Sequence, residues 1–196
     1  MAIVLASASP RRRELMDRIT PDYRVEPSSV DESRITAPDP AALAGALAAA
    51  KCADVAARHP ADVVIGCDTV VDCGGRVFGK PADAADARAM LTALSGRTHA
   101  VHTGVCIRCG AWQEKFVVTS QVRFFDIPAA ELADYIATAE PYDKAGAYAI
   151  QGRAALWLDG IEGDYYNIMG FPVSRIAAAL RRCPQALCTN STESDC

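Results

Sequence analysis

The stretch Leu5-Ala6-Ser7-Ala8-Ser9-Pro10-Arg11-Arg12-Arg13-Glu14-Leu15 decides how the chain begins to fold. It joins a short apolar strand, predicted over residues 2–6, to a helix predicted over residues 10–19, with Ser9 as N-cap and Pro10 as first helical residue. Three arginines then occupy the first turn, where the helix dipole disfavours cations. Free backbone N–H groups, serine hydroxyls and guanidinium groups suit a bound polyphosphate. The alternative interpretation is a solvated basic helix start beside an ordinary cap.

Composition limits the classes of protein to which the chain can belong. Its 196 residues are 51% hydrophobic and 22% charged, as is typical of a soluble globular protein. We expect a single domain over residues 1–183 and a polar, non-periodic, disordered tail over residues 184–196. The net charge of −4 argues against general binding to nucleic acid or to a membrane surface.

The sequence also indicates where the protein works. We expect no membrane span, since no apolar run approaches about 20 residues, and the N-terminus lacks the charge order of a signal peptide. The eight cysteines are then better interpreted as thiols in the reducing cytoplasm than as a disulfide framework.

Hydrophobic periodicity predicts a fold that mixes helices with both kinds of strand pairing. Residues 63–71 form an apolar, β-branched run that predicts a buried strand, followed by a hairpin turn at Cys73-Gly74-Gly75-Arg76. Helices are predicted over residues 40–58, after Asp83 up to Gly96, from Pro128, and over 173–182. Two long antiparallel strands are predicted at 99–108 and 112–124, on either side of Cys109-Gly110. Further strands are predicted at 23–30 and 154–161. Interleaved helices with hairpins favour an α/β fold, a mixed central sheet flanked by helices.

Asp68 is the strongest candidate for catalytic chemistry. It lies inside the apolar run, where a carboxylate is costly to bury unless it is paired, hydrogen-bonded or bound to a metal. It could therefore be a general base or a metal ligand; the alternative is a strand-end aspartate that caps a turn.

Two further segments carry candidate binding residues. Gly74 to Lys80 imitates a phosphate loop, but Pro81 stands where Ser or Thr is needed, so only Lys80 remains as a point charge for a phosphate. Residues 142–152 combine small residues with charges and end near Gln151, whose amide presents a donor and an acceptor that could read a base edge. A structured loop at the sheet edge is the alternative.

Ordered blocks along nearly the whole chain resemble the Maf family of nucleoside triphosphate pyrophosphatases. The blocks are Leu5-Ala6-Ser7-Ala8-Ser9-Pro10-Arg11-Arg12, Gly66-Cys67-Asp68-Thr69-Val70-Val71, Gly79-Lys80-Pro81, Leu94-Ser95-Gly96-Arg97-Thr98-His99, Asp143-Lys144-Ala145-Gly146-Ala147-Tyr148-Ala149-Ile150-Gln151-Gly152 and Tyr166-Asn167-Ile168-Met169-Gly170-Phe171-Pro172. Each block alone is weak, but their joint order is specific.

The resemblance implies a fold and an activity. The fold is an elongated mixed sheet with a cleft between two lobes, similar to the inosine triphosphate pyrophosphatases. The activity is metal-dependent hydrolysis of a nucleoside triphosphate to the monophosphate and pyrophosphate, with Mg²⁺ or Mn²⁺ as the divalent cation. The block that ends in Gln-Gly is similar to the branch that acts on dTTP and UTP. Ala149, Cys67 and Phe171 depart from the family pattern, and these departures bear on fine substrate preference more than on catalysis.

The resemblance also implies roles for individual residues. Asp68 is the base that activates water, and Asp68 and Glu32 hold the metal, with Asp31 a weaker alternative to Glu32. The phosphate chain is held by Ser7, Arg11, Arg12, Lys51 and Lys80. Base choice is governed by Arg11, Thr69 and Gln151.

The sequence leaves three functions possible and does not decide the oligomeric state. The leading function is a dTTP/UTP pyrophosphatase; the others are an N7-methyl-GTP pyrophosphatase and a nucleotide-binding regulator of cell division. The substrate is a nucleoside triphosphate in the first two. A homodimer remains an open alternative to a monomer.

Overall fold

The computed structural model describes residues 1–184, which form a seven-stranded mixed sheet flanked by helices. This confirms the predicted fold class. The strands are β1 (Ile3–Leu5), β2 (Arg24–Val25), β3 (Val63–Cys73), β4 (Arg76–Phe78), β5 (Thr98–Cys109), β6 (Trp112–Phe124) and β7 (Leu158–Glu162). The α-helices are α1 (Pro10–Met16), α2 (Pro40–Arg58), α3 (Ala84–Leu94), α4 (Ala129–Ile136), α5 (Tyr165–Ile168) and α6 (Val173–Arg182). The predicted tail lies outside the described residues except for Pro184, and the single-domain assignment stays a prediction.

The sheet combines a small parallel part with a long antiparallel part. Its order is β2-β1-β3-β5-β6-β7, with β1 parallel to both β2 and β3, and the later pairs antiparallel. The long pairing of β3 with β5 and of β5 with β6 forms the rigid centre. Functional side chains placed on β3 therefore sit on well-fixed backbone.

The edge of β3 is interrupted, and this interruption positions the site. On the side away from β5, β1 pairs with Val63–Ile65 and β4 pairs with Val71–Cys73. Within residues 1–184, no strand pairs with the intervening residues of β3 on that side. Because successive strand residues point to opposite faces, an uncovered edge lets side chains from both faces reach one cleft.

Helix α2 lies on one face of the sheet, in unusually close contact. A Cβ built on Gly66 would lie 2.5 Å from the Ala48 carbonyl oxygen, and one built on Gly104 would lie 2.1 Å from that of Ala44. Both positions therefore require glycine. The close approach brings α2 side chains within reach of β3.

By length and apolar composition alone, α2 could cross a membrane, and the expectation of no membrane span stays a prediction. A core helix passes the same test. In this structure Ala44, Leu47, Ala48, Cys52 and Val55 of α2 are buried, and the helix packs on β3 and β5.

The main core lies on the opposite face of the sheet. It is formed by α1, α3, α4 and α6 over the inward residues of β3, β5 and β6, with Leu15, Ile65, Leu91, Tyr135 and Ile176 all buried. Burying that many large apolar side chains at about 1.5–3 kcal/mol each provides the dominant stabilising term.

Three predicted elements differ from the structure. The strand expected at 23–30 is only Arg24–Val25, since the following residues leave the sheet. The strand expected at 154–161 begins with a 3₁₀-helix, Arg153–Trp157, and only Leu158–Glu162 is extended. Helix α1 ends at Met16 instead of residue 19. In each case a short apolar run fits a turn as well as the predicted element.

Candidate active site

A cleft of about 740 Å³ opens at the interrupted edge of β3. All the residues to which the sequence assigns a role in binding or catalysis line it: Ser7, Arg11, Arg12, Glu32, Lys51, Asp68, Thr69, Lys80 and Gln151. Of the arginine cluster, Arg11 and Arg12 face the cleft and Arg13 is not among its lining residues. Segments far apart in the sequence are thus brought together in one place.

Two carboxylates meet on one ammonium group in this cleft. Lys51 Nζ lies 2.6 Å from Asp68 Oδ1 and 2.8 Å from Glu32 Oε1. The Asp68 and Lys51 side chains are 11% and 15% exposed, whereas that of Glu32 is 53% exposed. Buried charges need partners, and Lys51, which extends from the closely packed α2, supplies one for Asp68.

Arg12 is held by four protein groups. Its Nε donates to the Gly170 carbonyl oxygen at 2.9 Å, and Nη1 donates to the Cys67 carbonyl oxygen at 2.8 Å and to Ser7 Oγ at 3.3 Å. Its Nη2 donates to Thr69 Oγ1 at 3.1 Å. The Cys67 carbonyl is available because, in the described part of the chain, no strand pairs with the β3 edge at that point. The guanidinium is therefore fixed as a preformed positive charge in the cleft.

The polar turn before α1 differs from the expected cap. Ser9 occupies the N-cap position, but its side chain makes no capping hydrogen bond. Instead the Ser9 backbone N–H donates to Ser7 Oγ at 3.2 Å, and the same Ser7 oxygen accepts from Arg12. The prediction of a Ser9 side-chain cap is wrong, since Ser7 takes the organising role.

Asp143 also lines the cleft and lies between two cationic side chains. Arg11 Nη1 lies 3.6 Å from Asp143 Oδ2, and Lys144 Nζ donates to Asp143 Oδ1 and, at 2.8 Å, to the Glu140 carbonyl oxygen. Burial raises the pKa of Asp143, but the hydrogen bond and charge of Lys144, with Arg11, outweigh burial and hold that pKa below its usual value. Asp143 is thus an anion that orients Arg11 from across the cleft.

Lys80 and Gln151 are exposed at the cleft wall. Their side chains make no hydrogen bond with the residues between 1 and 184, so their polar groups are available to a ligand. The Lys80 loop is tied to the opposite segment by the Gly146 N–H, which donates to the Gly79 carbonyl oxygen at 3.0 Å.

The charge balance of the cleft favours an anion. Its described lining includes five basic side chains, from Arg11, Arg12, Lys51, Lys80 and Lys144, and the three acidic ones of Glu32, Asp68 and Asp143. The net positive lining sits on a chain whose net charge is −4. Low-dielectric walls strengthen such a local field, so a polyphosphate suits the site.

The carboxylate pair also fits a hard divalent cation. Lys51 engages one oxygen of Asp68 and one of Glu32, and leaves Asp68 Oδ2 and Glu32 Oε2 for other partners. Within residues 1–184 no group of three or more His, Cys, Asp or Glu side chains is placed to hold a metal. Mg²⁺ is commonly bound by one or two carboxylates together with substrate phosphates, and the donor set matches that pattern.

Sequence reasoning missed several contributors to the site. Thr103 and Asn167 are fully buried and connect to Thr69, and Gly170 contacts Arg12. None belongs to a residue type that by itself signals chemistry. The block Tyr166–Pro172 belongs to the family resemblance, and only the fold reveals that its Gly170 contacts Arg12.

Comparison with known proteins finds relatives that match most of the chain. A family model described as Maf-like protein matches residues 2–183. A dTTP/UTP pyrophosphatase of Koribacter versatilis is 49% identical over 183 residues, covering 93% of this chain and 94% of that protein. A dTTP/UTP pyrophosphatase of Pyrococcus furiosus is 44% identical over 171 residues, covering 87% of this chain and 90% of that protein.

A solved structure shares the fold at low sequence similarity. The Ham1 protein of Staphylococcus aureus superposes with a TM-score of 0.50 at 16% identity, covering 93% of this chain and 99% of that one. That likeness concerns the fold alone. The family match over almost all the described residues, together with the relatives above 40% identity, shows that this chain belongs to the Maf family.

Proposed function

We propose that this protein hydrolyses dTTP and UTP to the nucleoside monophosphate and pyrophosphate. The observation that carries the proposal is that Asp68, bound to Lys51, lies in a cleft also lined by Arg11, Arg12 and Lys80. The relatives named dTTP/UTP pyrophosphatase support the choice of nucleotide.

The triphosphate lies along the basic lining of the cleft. Arg12, already fixed by four hydrogen bonds, provides a preorganised charge that costs little to orient when substrate binds. Arg11, Lys51 and Lys80 add further charges, and Ser7 lies beside Arg12. Together these groups stabilise the charge that develops on the phosphate oxygens and on the leaving pyrophosphate.

Asp68 acts as the general base. Its Oδ1 accepts from Lys51, so Oδ2 remains to accept a proton from water. The water oxygen attacks the α-phosphorus, the bond from that phosphorus to the α,β-bridging oxygen breaks, and pyrophosphate leaves with the bridging oxygen. The carboxylate holds the proton from water at the end of the step.

Asp68 and Glu32 would hold a divalent cation, Mg²⁺ or Mn²⁺. When bound, the cation supplies Lewis-acid stabilisation of phosphate charge. Lys51 keeps the two carboxylates together and balances part of their charge before substrate arrives.

Gln151 reads the base. Uracil and thymine present an acceptor–donor–acceptor edge, and a primary amide can meet it with one donor and one acceptor. Gln151 is exposed in the cleft, and Arg11 and Thr69 line the same cavity and complete the proposed base-reading set.

A nucleotide panel tests the function. Purified protein is incubated with Mg²⁺ or Mn²⁺ and UTP, dTTP, CTP, N7-methyl-GTP and the common purine triphosphates, and pyrophosphate and phosphate are measured separately. We expect pyrophosphate from UTP and dTTP. Preference for N7-methyl-GTP would replace the substrate assignment, release of single phosphates would refute the bond assignment, and binding without turnover would favour the regulator.

The cytoplasm is the proposed location of this reaction. Cys52, Cys67, Cys73, Cys106 and Cys183 are thiols in the structure, which suits a reducing compartment.

A further inference from the structure

The last turn of α5 and the residues that follow it, 167–170, lie directly against Arg12. This turn includes Asn167, which is fully buried, and Gly170, whose carbonyl accepts from Arg12 Nε. The backbone carbonyl oxygen of Asn167 accepts from the Gly170 N–H at 2.8 Å and from Thr103 Oγ1 at 2.9 Å. This turn therefore contacts the guanidinium directly and contacts Thr103 on β5.

Counting donors and acceptors fixes which group donates at each step of the hydrogen-bonded series from Arg12 to Asn167. A carbonyl can only accept, so the single hydroxyl proton of Thr103 is donated to the Asn167 oxygen. In the 2.9 Å contact between the two threonine hydroxyls, Thr69 must then be the donor. Thr69 has no proton left, so it accepts from Arg12 Nη2. Donation therefore proceeds in one direction, from Arg12 through Thr69 and Thr103 to the backbone oxygen of Asn167.

Asn167 is itself firmly anchored. Its Nδ2 donates to the Val101 carbonyl oxygen at 3.1 Å and to Ser120 Oγ at 2.9 Å. Ser120 donates in turn to the Asp164 carbonyl oxygen at 3.0 Å, just before α5. The amide must point its nitrogen at Val101, because the opposite orientation would set two carbonyl oxygens against each other. The far end of the chain is thus tied to β5 and β6.

Gly170 provides a second link between this turn and Arg12. Its φ of +95° lies in the left-handed region, and an added Cβ would lie 2.9 Å from Thr69 Oγ1 and 3.6 Å from Arg12 Nε. Glycine at this position lets the turn approach both residues closely. Arg12 is therefore held at Nε and at Nη2 by groups that both depend on the same turn.

We propose that Thr103 and Asn167 are positioning residues for the reaction, which set the orientation of Arg12 without touching substrate. The proposal rests on the proposed function only in naming the triphosphate as the group that Arg12 meets. Neither residue carries charge or faces the cleft. Their effect on catalysis passes through Thr69 and the Gly170 carbonyl.

The test compares Thr103→Val, which keeps shape but removes the hydroxyl, with Thr103→Ser, which keeps the hydroxyl. Thr119→Val is the matched control, since Thr119 lies on neighbouring β6 and hydrogen-bonds His102 outside the cleft. We expect kcat/KM for UTP to fall about 10- to 100-fold in Thr103→Val, as expected for a misplaced charge. The serine variant should recover most of the loss, and the control should stay near wild type.

Two measurements distinguish a loss of Arg12 positioning from a loss of protein stability alone. In a double-mutant cycle with Thr69→Val, the combined loss in kcat/KM should be smaller than the product of the single losses, because the effects share one path. Exchange of the Arg12 Nε–H proton, followed by NMR, should accelerate in Thr103→Val but not in Thr103→Ser or Thr119→Val. Thr103→Ala replaces the valine variant if that variant does not fold.

The outcomes are distinguishable from failure of the proposed function. If the wild-type protein hydrolyses no nucleotide, the proposed function fails. The exchange rate of the Arg12 Nε–H proton then tests the positioning role by itself. A lower unfolding temperature in Thr103→Val with unchanged kcat/KM and unchanged Arg12 exchange would overturn the proposal, as would fully multiplicative losses in the cycle.

Discussion

Replacing Asp68 by Asn tests the centre of the proposed mechanism. The amide keeps the shape of the side chain and one oxygen for Lys51, but it cannot accept a proton from water. General-base catalysis is typically worth about 10²–10⁴-fold, so we expect kcat to fall by at least about 10²-fold. Loss of a metal-binding oxygen acts in the same direction.

The same substitution has a smaller effect on folding stability. Asp68 and Lys51 are nearly buried, and removal of one member of such a pair can leave a costly unpaired charge. Here Lys51 retains Glu32 at 2.8 Å, and the new amide oxygen can still accept from it. We therefore expect a loss of about 1–3 kcal/mol in the free energy of unfolding, the cost of a weakened buried hydrogen bond.

The assay is release of pyrophosphate from UTP by protein whose fold is checked by circular dichroism. Asp72→Asn is the matched control: Asp72 lies on the same strand, outside the cleft lining, and its Oδ1 accepts from the Gly75 N–H at 2.7 Å. The control should retain near wild-type kcat. Near wild-type turnover in the folded Asp68→Asn protein would remove Asp68 from the mechanism.

Three further predictions follow from the site and the core. Gln151→Glu should lower the ratio of kcat/KM for UTP over CTP by roughly 5- to 150-fold, the cost of a buried polar mismatch; an unchanged ratio would show that Gln151 does not read the base. A chelator should abolish pyrophosphate release and added Mg²⁺ should restore it, with little change in unfolding temperature, because the described residues offer no complete metal cage; activity in excess chelator would contradict the metal requirement. Burial lowers the pKa of His99 to about 4 from its usual 6.5, so its contribution to stability is full above pH 6.5 and is lost as pH falls to 4. Urea unfolding should show wild type losing about 3 kcal/mol more than His99→Gln over that range, and equal losses would refute the assignment.

Long periodic or strongly apolar segments were predictable from the sequence. The bounds expected for α2, and the hairpin pairing of β5 with β6, agree with the structure because periodicity and turn glycines act locally. The short segments at 23–30 and 154–161 were not predictable, because a few apolar residues fit a strand, a 3₁₀ turn or a loop equally well. Packing on the rest of the fold decides among them.

The site was predictable in part, and for physical reasons. Asp68 could be singled out because a carboxylate inside an apolar strand breaks a local rule. Glu32 and Lys51 lie in ordinary polar and helical contexts, and only the family resemblance pointed to them. Lys51 joins Glu32 to Asp68, and its contact with Asp68 depends on how closely α2 approaches the sheet. Gly66 on β3 and Gly104 on β5 set that approach.

The interrupted edge of β3 explains how two adjacent residues serve different tasks in one cleft. In a covered strand, Asp68 and Thr69 would point to opposite faces and be separated by the sheet. Here the strand is paired with β1 before them and with β4 after them, and the open segment between lets Asp68 meet Lys51 on one face while Thr69 meets Arg12 on the other. The same gap frees the Cys67 carbonyl to hold Arg12. A base and a fixed cation can therefore approach one phosphate chain from both sides of a single strand, which a continuous sheet would not allow.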